Sequence, residues 1–468
     1  MLECAETGSN LMLRAARDAA LPPQPAGYWP TTVGVRPRYD RIGGDLSVDV
    51  AIIGGGYTGL STAYFLKRAE PALDIAVLEA EQIGYGASGR NAGFVMTLFG
   101  ASVPLVKALH GARRLKEAHE FMERAIGSLE ATVREHDIAC DFTRNGFLKV
   151  ATSPAYERRI RAEVDTMQAA GVSGISWIDR NELAARIAAP GYRGAWWEPG
   201  CGSLNPLKWV TGLATVVDRL GARIFEEARV ADVRRVGGRF AIALSSGVTV
   251  TARKVVYATN GYSHLLPGLR LKQTPAFTYV IVTERLTGEQ ITRLGWAGRE
   301  GVEDGRNFMH YYRLAPDDRL IVGGGPGVLP FGRQMDYDAS PEAWAHLEDF
   351  IGKTFPQLGS IRVAHRWGGA FSMTADFTPA IGTMHGGDAV YSVGCTGHGV
   401  AMTHTNGAIL ADLVREQKTA LTEMWFVDRW AMPMPPEPVR SAVTRSVAQI
   451  MKLEDWWCER PQRDDAAR

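Results

Sequence analysis

A short apolar run, Val48-Asp49-Val50-Ala51-Ile52-Ile53, leads directly into Gly54-Gly55-Gly56-Tyr57-Thr58-Gly59, and this junction constrains the fold more than any other stretch of the chain. The glycines satisfy GxGxxG. A helical pattern follows with Leu60, Ala63, Tyr64 and Leu66 on one side, and a second apolar run at 74–78 ends at Glu79. Each part has a physical task. Gly54 permits a tight turn, Gly56 lets the backbone approach a pyrophosphate, and Gly59 lets helix and strand pack closely. The helix start at Tyr57 and Thr58 offers unpaired N–H groups and a positive dipole end to phosphates. Glu79 can accept hydrogen bonds from a ribose hydroxyl, and its charge repels a 2′-phosphate. Strand, turn, helix, strand and acid in this register predict a Rossmann-type dinucleotide site.

The fingerprint alone does not separate FAD from NAD. No second one is found: Gly323-Gly324-Gly325-Pro326-Gly327 follows an apolar run but lacks the third glycine and a helical pattern, and reads as a β-turn. A flavoenzyme reduced by NAD(P)H through a second nucleotide domain would need that site. Close after Glu79 comes Gly84-Tyr85-Gly86-Ala87-Ser88-Gly89-Arg90-Asn91-Ala92-Gly93. So little side-chain bulk suits close approach to a long, flat cofactor, which points to FAD.

Length and charge narrow the rest. The chain has 468 residues, enough for two to three domains, with 46% hydrophobic and 22% charged residues. Lysine plus arginine (52) nearly cancels aspartate plus glutamate (51), which argues against a sequence-independent nucleic-acid binder. Cys4, Cys140, Cys201, Cys395 and Cys458 are scattered and form no CxxC pair, so no metal site is expected and a reducing, cytoplasmic setting fits. No run approaches the ~18 apolar residues of a membrane span. Residues 1–44 read as an arm broken by Pro22, Pro23, Pro25, Pro30 and Pro37, with Tyr28-Trp29 able to pin it to the body. Residues 101–136 carry helical spacing (Leu105, Leu109, Leu115, Phe121, Ile126, Leu129, Val133). Strand-like runs lie at 147–151, 230–236, 240–244, 254–258, 279–283 and 319–322, and the proline-rich tail after Thr419 reads as a wrapping segment.

From about Tyr28 to Leu413 the chain resembles the D-amino-acid-oxidase-like (DAO) superfamily, in its glycine-oxidase/γ-glutamylputrescine-oxidase-like branch. Four blocks carry the resemblance: residues 52–59 with Glu79, 84–93 (GYGASGRNAG), 255–262 (VVYATNGY) and 394–399 (GCTGHG). It implies an α/β plus α+β fold, a Rossmann-type FAD-binding domain interleaved with an antiparallel β-sheet substrate domain. The FAD-binding domain is expected at 45–100, 195–265 and 375–418, the substrate domain at 101–194 and 266–374. Cofactor contacts are expected from the first two blocks (Ala87, Ser88, Arg90, Asn91, Ala92 and Gly93 in the second), from Val230, and from Thr259 and Gly261. Gly394, Gly397, His398 and Gly399 complete the set. There a glycine-rich helix start can aim N–H groups at the flavin edge that gains negative charge on reduction.

The resemblance implies FAD-dependent oxidation of the C–N bond of a primary or secondary amine (a polyamine derivative, N-alkyl amino acid or aminophosphonate) to an imine that water hydrolyses, with O2 or another acceptor taking the electrons. Two alternatives stay open: oxidation of a hydroxy acid or polyol phosphate, and a flavin-binding protein without catalysis. The flavin carries the redox chemistry, so no conspicuous acid/base pair is expected. Tyr312, Arg313 and His398 are the candidate catalytic residues, with Arg90, Asn91, Arg366 and Trp367 nearby. Tyr311 and Tyr312 point to opposite faces of a strand, Arg313 can equally form an ion pair, and His398 either meets the flavin or fills space. Departures from relatives matter. Gly369 replaces a flavin-tethering cysteine and Arg90 a tethering histidine, which implies non-covalent FAD; Ala401 replaces a carboxylate-gripping lysine; and Ile321 matches a lysine linked to oxygen reactivity.

Overall fold

The computed structural model describes residues 27–266 and 268–460. Most of the expected arm, with Cys4, Pro22, Pro23 and Pro25, and the last eight residues lie outside them.

The run at 48–53 is buried at every position but Asp49 because its strand, Leu46–Ile53, has cover on both faces. It lies mid-sheet, in the order Ala380–Met384, Ala389–Val393, Thr249–Tyr257, Leu46–Ile53, Ile75–Leu78, Arg223–Phe225. All neighbours are parallel except the first pair, and a hairpin of Val230–Val236 and Arg239–Leu244 extends from Thr249–Tyr257. Register brings three carboxyl ends together: Ile53 pairs with both Tyr257 and Leu78. Gly54, Glu79 and Ala258 therefore emerge side by side, at the edge where open α/β sheets bind ligands.

Helices Tyr57–Ala69, Gly399–Val414 and Val103–Glu135 share one core beside this sheet, through Tyr64, Leu410, Phe121 and Leu129. His404 stitches them: Nδ1 lies 2.8 Å from Ser61 Oγ and Nε2 3.0 Å from Thr132 Oγ1. The long helix, expected in the substrate domain, thus joins the nucleotide side because its apolar stripe matches the two helices there. It breaks at Gly111 (φ 83°), and Leu109 just before the break is half-exposed, unlike Leu115, Phe121 and Leu129.

The second sheet runs Val363–Met373, Thr274–Arg285, Arg319–Gly324, His310–Leu314, Gly301–Asp304, Phe147–Ala151, Gly194–Glu198, Ser176–Asp179. Only the pair Gly301–Asp304 and Phe147–Ala151 is parallel. Gly194–Glu198 belongs to this sheet, which places residues 195–198 outside the nucleotide side where they were expected. The Gly323–Gly327 stretch ends a strand, and Val328 then pairs with Phe277 before any helix begins.

The arm is pinned as its aromatics imply: Trp29 Nε1 donates to the Asn91 carbonyl (2.8 Å) and Tyr28 Oη to Asp317 (2.7 Å). The tail wraps, with Asp428 N donating to the Ile381 carbonyl (2.8 Å), and then forms an unforeseen helix, Val439–Glu459. Buried Asp455 anchors it by accepting from Tyr156 Oη (2.9 Å) and from the N–H groups of Asn307 (2.9 Å) and Phe308 (3.1 Å). No helix among the described residues is long and apolar enough to cross a membrane.

Candidate active site

The glycine turn is as tight as its sequence implies. A Cβ at Gly59 would stand 1.9 Å from the Gly54 carbonyl oxygen, so only glycine lets helix and strand meet. At Gly56 a Cβ would meet a side chain, Ser88 Oγ at 2.9 Å, and that hydroxyl accepts from the Tyr57 N–H (2.9 Å). The N-cap residue, Gly56, has no side chain to cap this helix start, so Ser88 is the one that meets it. Glu79 accepts from the N–H groups of Gly55 (2.8 Å) and Glu81 (3.1 Å); burial pushes its carboxyl up to about 7 against those bonds.

The second glycine stretch is held from outside. Asn91 Nδ2 donates to the Ala87 carbonyl (3.0 Å) and its Oδ1 accepts from Gly93 N (2.8 Å). Arg90 is buried, donates to the Tyr85 carbonyl (2.8 Å), lies over the Tyr85 ring and pairs with Asp338 (2.7 Å), yet its Nη2 has no partner. Trp367 Nε1 donates to the Arg90 carbonyl (2.7 Å), while Arg366 pairs with Glu348 at the surface.

Both halves wall one cavity of about 1460 Å³. Gly54, Gly56, Tyr57, Thr58, Glu79 and Val230 line it; so do Ala87, Ser88, Arg90, Asn91, Ala92, Gly93 and Thr259, and Gly397, His398 and Gly399. Gly59, Gly261 and Gly394 lie behind the wall, where a Cβ would strike the Gly54 carbonyl, Ala370 and Thr374 respectively. The residues fit FAD: a buried acid stands ready for a ribose, a helix start whose N-cap is a glycine for the pyrophosphate, and Arg90 and His398, each with an orphaned buried nitrogen, line a space with room for an isoalloxazine.

The candidate substrate residues divide. Tyr312 and Arg313 do not line the cavity. Alternation turns Tyr312 to the opposite face, where it is fully buried among Trp296, Phe350 and Phe355 with its hydroxyl against that of Tyr192. Arg313 is spent on the glycine loop, donating to the carbonyls of Ala92 (2.6 Å) and Leu204 (2.7 Å), with Trp29 over its guanidinium. Tyr311 takes the cavity face instead, its ring over Gly323, and its hydroxyl 3.2 Å from Thr278 Oγ1. His398 lines the cavity and is neutral: burial, with help from the charge of Lys149, lowers it to about 4.

Residues missed in the sequence stand beside Tyr311. Strand register sets Tyr311 next to Glu303, Glu303 next to Lys149, and Lys149 next to Trp196, and all four line the cavity. A charge inside the apolar run Phe147-Leu148-Lys149-Val150 and two adjacent acids in a strand, Glu303-Asp304, were the available signals. The tail helix closes another wall with Val443, Thr444, Val447 and Met451.

A parallel-sheet dinucleotide cradle sharing one cavity with a largely antiparallel sheet is the architecture of a flavin-dependent oxidoreductase. Residues 49–413 match the family model described as DAO, FAD dependent oxidoreductase, and the chain belongs to that family. It is 30% identical over 392 residues to gamma-glutamylputrescine oxidoreductase of Escherichia coli, covering 83% of this chain and 89% of that protein. Among solved structures, glycine oxidase from Geobacillus kaustophilus superposes with a TM-score of 0.68 at 21% identity, covering 82% of this chain and all of that one. L-proline dehydrogenase from P. horikoshii superposes with a TM-score of 0.69 at 20% identity, covering 82% and 97%.

Proposed function

We propose that the chain oxidises the C–N bond of a primary or secondary amine to an imine, which water hydrolyses to a carbonyl compound and the released amine or ammonia. The observation that carries this reading is His398: a neutral imidazole with a free Nδ1, on the cavity wall beside a dinucleotide cradle. A protonated imidazole would repel an ammonium; this neutral one leaves the cavity open to it. When bound, FAD supplies the two-electron acceptor for the hydride leaving the α carbon. Tyr311 and Phe94, packed edge to face at 5.9 Å, wall the carbon skeleton, and the tail helix lines the other side. The name of the Escherichia coli relative, an oxidoreductase of an amine, supports the same bond.

FAD is held non-covalently in this reading, by Glu79, the Tyr57 helix start and the 84–93 loop. The four described cysteines are unbridged, in keeping with a cytoplasmic protein.

An anaerobic bleaching screen tests the function. Amines should bleach the flavin and yield an aldehyde or keto product with ammonia or an alkylamine. Bleaching by hydroxy acids or polyol phosphates alone would overturn it in favour of C–O oxidation, and no bleaching by any of them would point to a protein that only carries flavin.

A further inference from the structure

On the cavity face of the second sheet, Glu303 is 4% exposed and makes no hydrogen bond or ion pair with any described residue. A carboxylate that buried is normally paired, because desolvating it alone is costly. Its cross-strand neighbour Lys149 is already taken, with Nζ 2.9 Å from Glu163. Two carboxyl groups thus share one ammonium: burial pushes the Glu303 carboxyl up to about 7, with Lys149 alone drawing it down, so it lacks the cation that would hold it ionised. The nearby arginines do not correct this: Arg159 is engaged by Glu454, and Arg306 by Asp304 and Glu459.

Glu303 is in register with Tyr311 on one side, and Trp196 lies beyond Lys149 on the other. Adjacent strands are about 4.8 Å apart, so Tyr311 starts beside Glu303, while its ring leans the other way over Gly323 and leaves the space in front of the carboxyl open. The charge of Lys149 reaches His398, which sets this cluster within electrostatic range of the proposed reacting nitrogen.

We propose that Glu303 forms a subsite for a second cationic nitrogen on the substrate, so that the chain favours diamines and polyamine derivatives over simple monoamines. This rests on the amine-oxidation reading above. The competing occupant, a distal carboxylate on Lys149, would have to displace Glu163 and settle beside Glu303.

The test compares an alkyl monoamine with the α,ω-diamine of equal length on the FAD-loaded enzyme. Glu303→Gln is expected to lower kcat/KM for the diamine about ten- to a hundredfold, the loss of one charge-assisted contact, while changing the monoamine less than about twofold. Glu303→Asp, which keeps the charge, should restore part of the diamine preference. A second readout needs no turnover: a bis-trimethylammonium alkane titrated into oxidised enzyme should shift the flavin absorption in wild type and far less in Glu303→Gln. Equal losses for both amines, undiminished binding of the bis-ammonium compound to the variant, or a wild-type preference for distal carboxylates would overturn the subsite. Bis-ammonium binding that depends on Glu303, without bleaching by any amine, would uphold the subsite and remove the amine-oxidation reading alone.

Discussion

Gly369 faces Arg90: a Cβ built on Gly369 would stand 3.2 Å from Arg90 Cδ. The two positions from which relatives tether flavin are thus neighbours in space, and here one has no side chain while the other carries a guanidinium that cannot form the bond. Acid precipitation is expected to release all yellow colour to the supernatant. Flavin fluorescence on a denatured gel band would contradict this. Arg90→Ala should also lower stability by about 3–5 kcal/mol in denaturant melts, since it leaves Asp338 buried without its partner.

The fingerprint glycines should separate binding from folding. A side chain at Gly56 meets only Ser88 Oγ and then the cavity, whereas one at Gly59 meets backbone at 1.9 Å. Gly56→Val is expected to give folded, colourless protein, and Gly59→Val insoluble or unfolded protein. Far-ultraviolet circular dichroism and absorbance near the flavin maximum read the two effects apart. A yellow Gly56→Val protein would remove the pyrophosphate assignment.

Tyr311 and Tyr312 differ in face and should differ in phenotype. Tyr311→Ala is expected to slow flavin reduction by substrate with FAD content unchanged. Tyr312→Phe should leave the reduction rate per flavin intact but cost about 1–3 kcal/mol of stability, because the buried Tyr192 hydroxyl loses its partner. Stopped-flow reduction and chemical melts on both variants check the division.

These two tyrosines mark the limit of what the sequence discloses. Gly54, Gly56, Gly59 and Glu79 are legible because their tasks are local: a turn, a helix start and an acid at the end of the next strand. The strand holding Tyr311 and Tyr312 is equally legible, but its parity is not, since both faces carry a tyrosine and only pairing with Gly301–Asp304 and Arg319–Gly324 decides which faces the cavity. Glu303 and Lys149 lie 154 residues apart and meet through one parallel strand pair, which no local pattern encodes. Arg313 reads as a substrate residue because an arginine can pair with a substrate carboxylate or phosphonate, whereas here it donates to the carbonyls of Ala92 and Leu204. The tail helix was hidden behind a proline-rich stretch, although Pro438 stands at its N-cap.

His404 should impose a pH dependence on stability. Burial holds its imidazole down at about 3, against 6.5 in the unfolded chain. Below pH 6.5 the unfolded state therefore takes the proton first, so the stability present above 6.5 is lost as pH falls toward 3. His404→Gln keeps a hydrogen-bonding side chain between Ser61 and Thr132 but does not titrate. Between pH 7 and 5 it is expected to lose about 2 kcal/mol less stability than wild type. The other buried histidines remain in both proteins, so the difference isolates His404; parallel pH profiles from urea melts would disprove the assignment.

The electron acceptor is the last expectation. A free positive charge beside the reaction centre speeds oxygen reduction by stabilising the anion that O2 becomes. Ile321, at the position of the relatives' lysine, is a fully buried core residue. Arg319, two residues earlier, is committed to Asp317 (3.0 Å) and the Thr283 carbonyl (2.9 Å), with Tyr28 over its guanidinium. The cavity-wall cations Arg90, Lys149, Arg159, Arg229, Arg306 and Arg440 each face a carboxylate partner, which offsets their charge, and Arg333 donates to the Leu265 carbonyl (2.7 Å). Reduced enzyme mixed with O2 in a stopped-flow instrument is therefore expected to regain its colour slowly, and a quinone or dye acceptor to restore it quickly. Fast recovery with one hydrogen peroxide per flavin would show that these paired cations suffice and that the chain is an oxidase.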